Sequence, residues 1–213
     1  MILVLSLTAA LFGTIHIVAD HRRAWVTTWW SKPATVLSLL ALVVLLAPTE
    51  SQYAYLIIVG LGASLAGDIF LMLRPERFLA GLAAFLAAHL LYIGAFAGLV
   101  WPGDPALAIV LAVFAAVVFR VLQPRLGPLR WPVLGYVLAI ATMVWLAVSA
   151  WLSQPSASTA AAAVGALLFL VSDTSLGVAR FRWHYPGAQA VTLATYYLGQ
   201  WLIALSAVWF GAG

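Results

Sequence analysis

Charge and apolar sequence alternate in this chain with a regularity that leaves few folds open. Apolar runs can be read at 1–19, 33–47, 53–73, 78–100, 105–122, 131–152, 159–179 and 187–210. All ten basic residues fall at the odd-numbered connections between them: Arg22, Arg23 and Lys32, then Arg74 and Arg77, then Arg120, Arg125 and Arg130, then Arg180 and Arg182. The even-numbered connections carry Glu50 and Asp104 instead. A helix needs about 20 apolar residues to cross a bilayer. The pattern therefore predicts an all-α polytopic membrane protein of eight transmembrane helices, of which 33–47 is the shortest. Basic loops stay on the cytoplasmic side, so both termini are expected outside.

Composition supports this. Hydrophobic residues make up 65% of the 213 residues, charged residues 8%, and mean hydropathy is +1.09. A soluble domain would be about 45–50% apolar and about 25% charged. The connections are too short for a soluble domain, so residues 1–213 are read as one transmembrane domain. The pI near 9.8 comes from the cytoplasmic loops and is not a nucleic-acid patch. The absence of cysteine excludes disulfides and thiolate chemistry. The first run lacks a basic leader and a small-x-small cleavage site, so it is expected to be a retained helix.

Against that background two carboxylates stand out. Asp68 in GLGASLAGDIFLML and Asp173 in GALLFLVSDTSLGV lie six and seven residues inside Arg74 and Arg180. A charge in hydrocarbon costs a few kcal/mol or more, which makes such acids functional candidates. A rise of 1.5 Å per residue puts both at roughly 9–10 Å depth. His16 lies at a similar depth, while His89, Tyr92, Tyr196, Tyr197 and Gln200 are deeper. Gly60, Ser64, Gly67 and Asp68 share one helical face. Such a stripe also serves plain helix packing, but packing does not require an acid. Asp173 shares a face with Gly165, Phe169 and Gly177 and follows Ser172, whose hydroxyl is expected on the preceding turn. His89 and Tyr92 are neighbours at i, i+3, as are Tyr197 and Gln200. Ser31-Lys32-Pro33 reads as a helix start. That would put Lys32 at the cytoplasmic mouth, there to bind a phosphate, pair with an acid or snorkel to lipid. His21 and His184 fall in basic loops and are expected to be solvated.

The acids, Tyr92 and Tyr197 are each 105 residues apart, and LysPro and TrpPro open the second and sixth runs. A parallel four-helix tandem repeat would produce such offsets.

The segments SKPATVLSLLAL, GASLAGDIFLML, AAHLLYIGAF, LLFLVSD and YYLGQWLIALS, in this order, resemble the YhhN family of integral-membrane lysoplasmalogenases from about residue 30 onward. The resemblance implies an eight-helix hydrolase that cleaves the vinyl ether of lysoplasmalogens to a fatty aldehyde and a glycerophospho-base. It maps the active-site motifs onto Lys32, Ser64, Asp68, His89, Tyr92, Ser172, Asp173, Tyr197 and Gln200. The first run carries little of it, so His16 gains no role.

A vinyl ether hydrolyses by protonation at its β-carbon, addition of water to the resulting oxocarbenium ion and collapse of the hemiacetal. That needs a general acid and a second carboxylate, the division of labour used on glycosides. The expected catalytic set is Asp68, Asp173 and His89, with Asp173 as acid, Asp68 as base and His89 orienting water. Lys32, Ser64, Tyr92, Ser172, Tyr196, Tyr197 and Gln200 are expected to bind a lysophospholipid whose chain runs toward the far leaflet. No cofactor is expected, no zinc motif or GxSxG elbow is present, and the expected location is a bacterial inner membrane with the site facing the cytoplasm. Other readings stay open: a proton-coupled transporter, whose relays also use intramembrane acids and histidine; a lipid-binding helper; a hydrolase of another lysophospholipid; and a metal held by Asp68, Asp173 and His89.

Overall fold

The computed structural model describes residues 1–73 and 75–210; Arg74, counted above among the basic residues, lies outside them. Eight α-helices follow one another: α1 (Ile2–His21), α2 (Trp25–Leu46), α3 (Gln52–Met72), α4 (Phe78–Ala97), α5 (Pro105–Leu122), α6 (Arg130–Ser153), α7 (Ala157–Phe181) and α8 (Ala188–Val208). Each is long and apolar enough to cross a membrane. The odd-numbered connections gather at one end of the bundle. There Arg180 pairs with Glu76, Phe78 packs on Phe181, and the Arg125 guanidinium donates to the Arg182 carbonyl.

Seven helices match the apolar runs to within a few residues. The second does not. It starts at Trp25 rather than at Pro33, so Ser31-Lys32-Pro33 lies two turns inside α2. Proline removes a backbone donor and crowds the preceding turn. Membrane helices tolerate it where neighbouring hydroxyls satisfy the freed backbone. Thr28, Ser31 and Thr35 here donate to the Ala24, Thr27 and Ser31 carbonyls, on either side of the Trp29 carbonyl that Pro33 leaves without its donor. Lys32 is therefore about 10 Å inside the start of α2 by helical rise, not at the mouth as the sequence suggested.

Caps divide the two ends. Ser51, Asp104 and Ser156 cap α3, α5 and α7 at the far end. The starts of α2, α4, α6 and α8 have no side-chain cap. Those four uncapped N-termini bring partial positive charge to the end where the acids lie.

Small residues decide how closely the helices approach. A Cβ at Gly60 would overlap the ring of Tyr92, so the small face of α3 seats an aromatic ring of α4. A Cβ at Gly165 would lie 2.9 Å from the Gly199 carbonyl oxygen, so α7 and α8 meet backbone to backbone. In the far half Leu39, Ile57, Phe96, Met143, Leu146 and Ile203 are fully buried. That half also holds polar contacts: Tyr53 bonds Ser206 at 2.8 Å and Ser158 donates to the Ser206 carbonyl. These are satisfied contacts between helices. α5 is the loosest element: it packs on α6 and α7 and buries only Leu111, Ala115 and Leu122.

Candidate active site

One cavity of about 420 Å³ opens at the end of the odd-numbered connections, and both intramembrane carboxylates line it. Asp68 is 1% exposed. Its Oδ1 lies 2.9 Å from Lys32 Nζ, and its Oδ2 accepts from the Tyr196 hydroxyl at 2.7 Å. The early start of α2 makes this ion pair geometrically available, since it sets Lys32 at the level of Asp68. A buried carboxylate is tolerated when paired and hydrogen-bonded, and both conditions hold here.

Asp173 has different company. The Tyr136 hydroxyl donates a short hydrogen bond to Oδ2. His89 Nε2 lies 3.6 Å from the same oxygen, beyond hydrogen-bond length. The His89 ring is held edge-on by Phe169 and Tyr136, with centroids 4.8 and 5.0 Å apart. Both its nitrogens are buried without a hydrogen bond among the described residues. No lysine or arginine is paired with Asp173 among the described residues. One acid is thus paired with a cation, and the other meets a phenol and an imidazole.

The remaining residues singled out in sequence divide into three groups. Ser172 and Tyr196 line the cavity with the acids. Ser172 donates to the Thr192 carbonyl of α8 at 2.9 Å, not to its own preceding turn as expected. Tyr92 and Gln200 pair with each other at 2.8 Å, deeper in the bundle. Ser64 is fully buried, and neither its hydroxyl nor the Gln200 side-chain nitrogen has a partner among the described residues. These three do not line the cavity. Tyr197 turns away from the acids and bonds His16 Nδ1 at 2.6 Å. His21 and His184 are exposed. No three His, Cys, Asp or Glu side chains among the described residues cluster as metal ligands, which corrects the reading of Asp68, Asp173 and His89 as such a set.

Sequence reasoning missed Tyr136 entirely, and it gave no role to His16, Asp20 or Gln189, which also line the cavity. The signal for Tyr136 was its depth: it stands six residues inside Arg130, as Asp68 stands six inside Arg74. His16 lies outside the quoted motifs, and its link to Tyr197 spans 181 residues.

Eight apolar helices around a half-buried polar chamber with two carboxylates define a polytopic membrane protein built for chemistry at membrane depth. The YhhN family model matches residues 27–207, and the chain belongs to that family. It is 32% identical over 205 residues to the membrane protein YhhN of Escherichia coli O157:H7, covering 94% of this chain and 96% of that one. It is 37% identical over 182 residues to the protein named lysoplasmalogenase TMEM86B of Sus scrofa, covering 84% of this chain and 76% of the relative. It is 35% identical over 158 residues to lysoplasmalogenase TMEM86A of Homo sapiens, covering 71% and 65%. No solved structure matches the chain.

Proposed function

We propose that this chain is a membrane hydrolase that cleaves the vinyl ether bond of lysoplasmalogens, from a cavity facing the cytoplasm of a bacterial inner membrane. The observation that carries the reading is the pair of carboxylates on one cavity, each in a different setting. The names of the two lysoplasmalogenase relatives support the substrate class. The basic residues at the cavity's end of the bundle support the orientation. Asp68, Asp173, Lys32 and Tyr136 all lie in the half of the bundle near the basic connections, which supports an enzyme over a transporter, since a transporter needs access from both sides.

The roles follow from the partners. Asp173 carries no cationic partner and delivers its proton to the β-carbon of the enol ether. The ether oxygen shares its lone pair with the adjacent carbon, which becomes an oxocarbenium ion. Asp68, ion-paired to Lys32, is the carboxylate that takes a proton from the water as it adds to that carbon. In the hemiacetal, Asp68 returns the proton to the glycerol oxygen as the C–O bond breaks. The remaining hemiacetal hydroxyl gives its proton to Asp173, and the aldehyde and glycerophospho-base leave. Lys32 and Tyr196 hold Asp68 in place, Tyr136 holds Asp173, and His89, fully buried behind Asp173, orients the attacking water through that carboxyl. Ser64, Tyr92 and Gln200 support this from beneath the cavity, and Tyr197 fixes α8 against α1.

The same reading takes the two halves as a parallel tandem repeat. In support, α2 packs on α3 and α8 as α6 packs on α7 and α4.

The purified protein should release aldehyde from vinyl-ether lysolipids but not from alkyl-ether or acyl ones. In D₂O one deuterium should appear on the carbon next to the aldehyde. Asp68→Asn and Asp173→Asn should each abolish release while the protein stays monodisperse. Turnover by either variant at the parental rate, or an aldehyde without deuterium at that carbon, refutes the mechanism.

A further inference from the structure

A second hollow meets the polar cavity at the wall formed by Tyr136 and Asp173. It measures about 60 Å³ and is lined from five helices, by side chains such as Leu82, Phe114, Val118, Val137 and Leu170. The boundary it shares with the polar cavity combines Tyr136, Asp173 and Arg180 with the apolar Leu71, Phe85 and Leu176, and the rest of its lining is almost wholly apolar. An acid at the junction of a polar chamber and an apolar slot is unusual packing.

The slot has a weak outer wall. α5 supplies Phe114 and Val118 to the slot and turns Ile109, Val110, Val113 and Val117 outward, each more than half exposed. Its packing partners are α6 and α7, whereas Leu82 and Phe85 enter the slot from α4 across the gap. The seam between α4 and α5 is therefore where hydrocarbon can pass from the bilayer without crossing polar surface.

We infer that the slot seats the first carbons of the substrate's single hydrocarbon chain, which enters sideways from the membrane between α4 and α5 and leaves its polar end in the neighbouring cavity. This rests on the lysolipid reading and adds the route and the reason for single-chain selectivity. A lysolipid divides into one apolar chain and one phosphate-bearing end, and the Tyr136–Asp173 wall stands between two volumes of those two kinds. The apolar hollow between α1, α2 and α8 shares no lining residue with the polar cavity, so it offers a second chain no seat beside the acids.

The dimensions agree. Arg180 lies seven residues beyond Asp173 on α7, or ~10 Å along the helix. Seven bonds separate the phosphorus of such a lipid from the β-carbon of its enol ether, which extended is ~8 Å. Arg180 faces both volumes, stacks 3.9 Å over the Phe78 ring and holds Glu76 at 2.9 Å. A guanidinium there can exchange that carboxylate for the phosphate. An extended 16-carbon chain is ~18 Å long, whereas beyond Asp173 the slot continues only three residues of α7, to Leu170, or ~4.5 Å. The slot therefore seats the first carbons, and the rest of the chain runs out between α4 and α5. The tail then ends in the bilayer beside α5, not toward the far leaflet as the sequence suggested.

The cysteine-free chain makes the test direct. Val118→Cys places a thiol in the slot, and Val110→Cys places one on the outer face of the same helix. Both are labelled in nanodiscs with a membrane-permeant maleimide, with and without a non-cleavable hexadecyl-ether lysophosphocholine, and with glycerophosphocholine as the chainless control. The ether lipid should slow labelling at 118 at least fivefold and leave 110 unchanged, and glycerophosphocholine should protect neither. Equal labelling at 118 with and without the lipid, or equal protection at 110, overturns the inference. The outcome is independent of the chemistry: protection without any aldehyde release would sink the hydrolase reading alone, and aldehyde release without protection would sink the slot.

Discussion

Replacing Lys32 by methionine removes the cation from a carboxylate that stays in place and buried. The side chains of Lys32 and Asp68 are 12% and 2% exposed, so little solvent can take over the role of the lost partner. Breaking a buried pair from one side costs about 3–5 kcal/mol, because a charge is left uncompensated. Tyr196 still donates to the other carboxylate oxygen, and the cavity lets some water in, which argues for the low end, about 3 kcal/mol. The double variant Lys32→Met/Asp68→Asn has no charge to bury and should recover most of that loss, giving a coupling of about 2 kcal/mol. Activity should not follow stability. Both the single and the double variant should lose more than about 100-fold in turnover, the scale of a lost acid–base group. Reversible unfolding in mixed micelles, run as a double-mutant cycle beside the aldehyde assay, gives both numbers. Additive stability losses, each below about 0.5 kcal/mol, would show that the ion pair is not the feature that holds Asp68 in the bundle.

Tyr136→Phe removes the donor on Asp173 without changing the shape of the wall. Turnover should fall about 10- to 100-fold, within the range for a positioned proton-transfer contact, while stability changes by about 1 kcal/mol; unchanged turnover would detach Tyr136 from the site. Gly60→Ala forces a methyl group into the Tyr92 ring, and overpacking of that kind should cost about 1–3 kcal/mol, measured by unfolding. Arg180→Gln should raise KM for the lysolipid with kcat nearly held. A fall in kcat at unchanged KM would place Arg180 at the chemistry instead of at the phosphate.

The fold was legible because a membrane segment advertises itself by length and hydropathy, and seven of eight helices follow from that alone. The exception has a physical cause. Residues Trp25 to Lys32 carry two threonines, a serine and a lysine ahead of a proline, a composition that reads as interface. It is helical here, with Thr28 and Ser31 turning their hydroxyls back onto carbonyls of their own helix and Lys32 meeting Asp68 in place of solvent. The site was legible in its charged members. Asp68 and Asp173 violate the bilayer's preference, so burial alone marks them. Tyr136 and His16 violate nothing, since a tyrosine or a neutral histidine can sit in a helix bundle on one hydrogen bond. Tyr196 and Tyr197 show the remaining limit. They are adjacent in sequence, so their side chains lie about 100° apart around α8, and only packing decides which one meets Asp68.

The partners of the two acids also bear on how such a site can work at all. Asp68 of α3 meets Lys32 of α2 and Tyr196 of α8; Asp173 of α7 meets Tyr136 of α6 and His89 of α4. A shift of four helices carries one set of helices onto the other, but not one set of residues. Were the halves alike at these positions, each carboxyl would have the same partners and no reason to differ from its twin. Acid–base cleavage of an enol ether needs one carboxyl that gives a proton to carbon and another that takes one from water. Each acid accepts from a tyrosine hydroxyl, so a lysine beside one and an imidazole beside the other are what break the equivalence, and they leave the helix arrangement untouched.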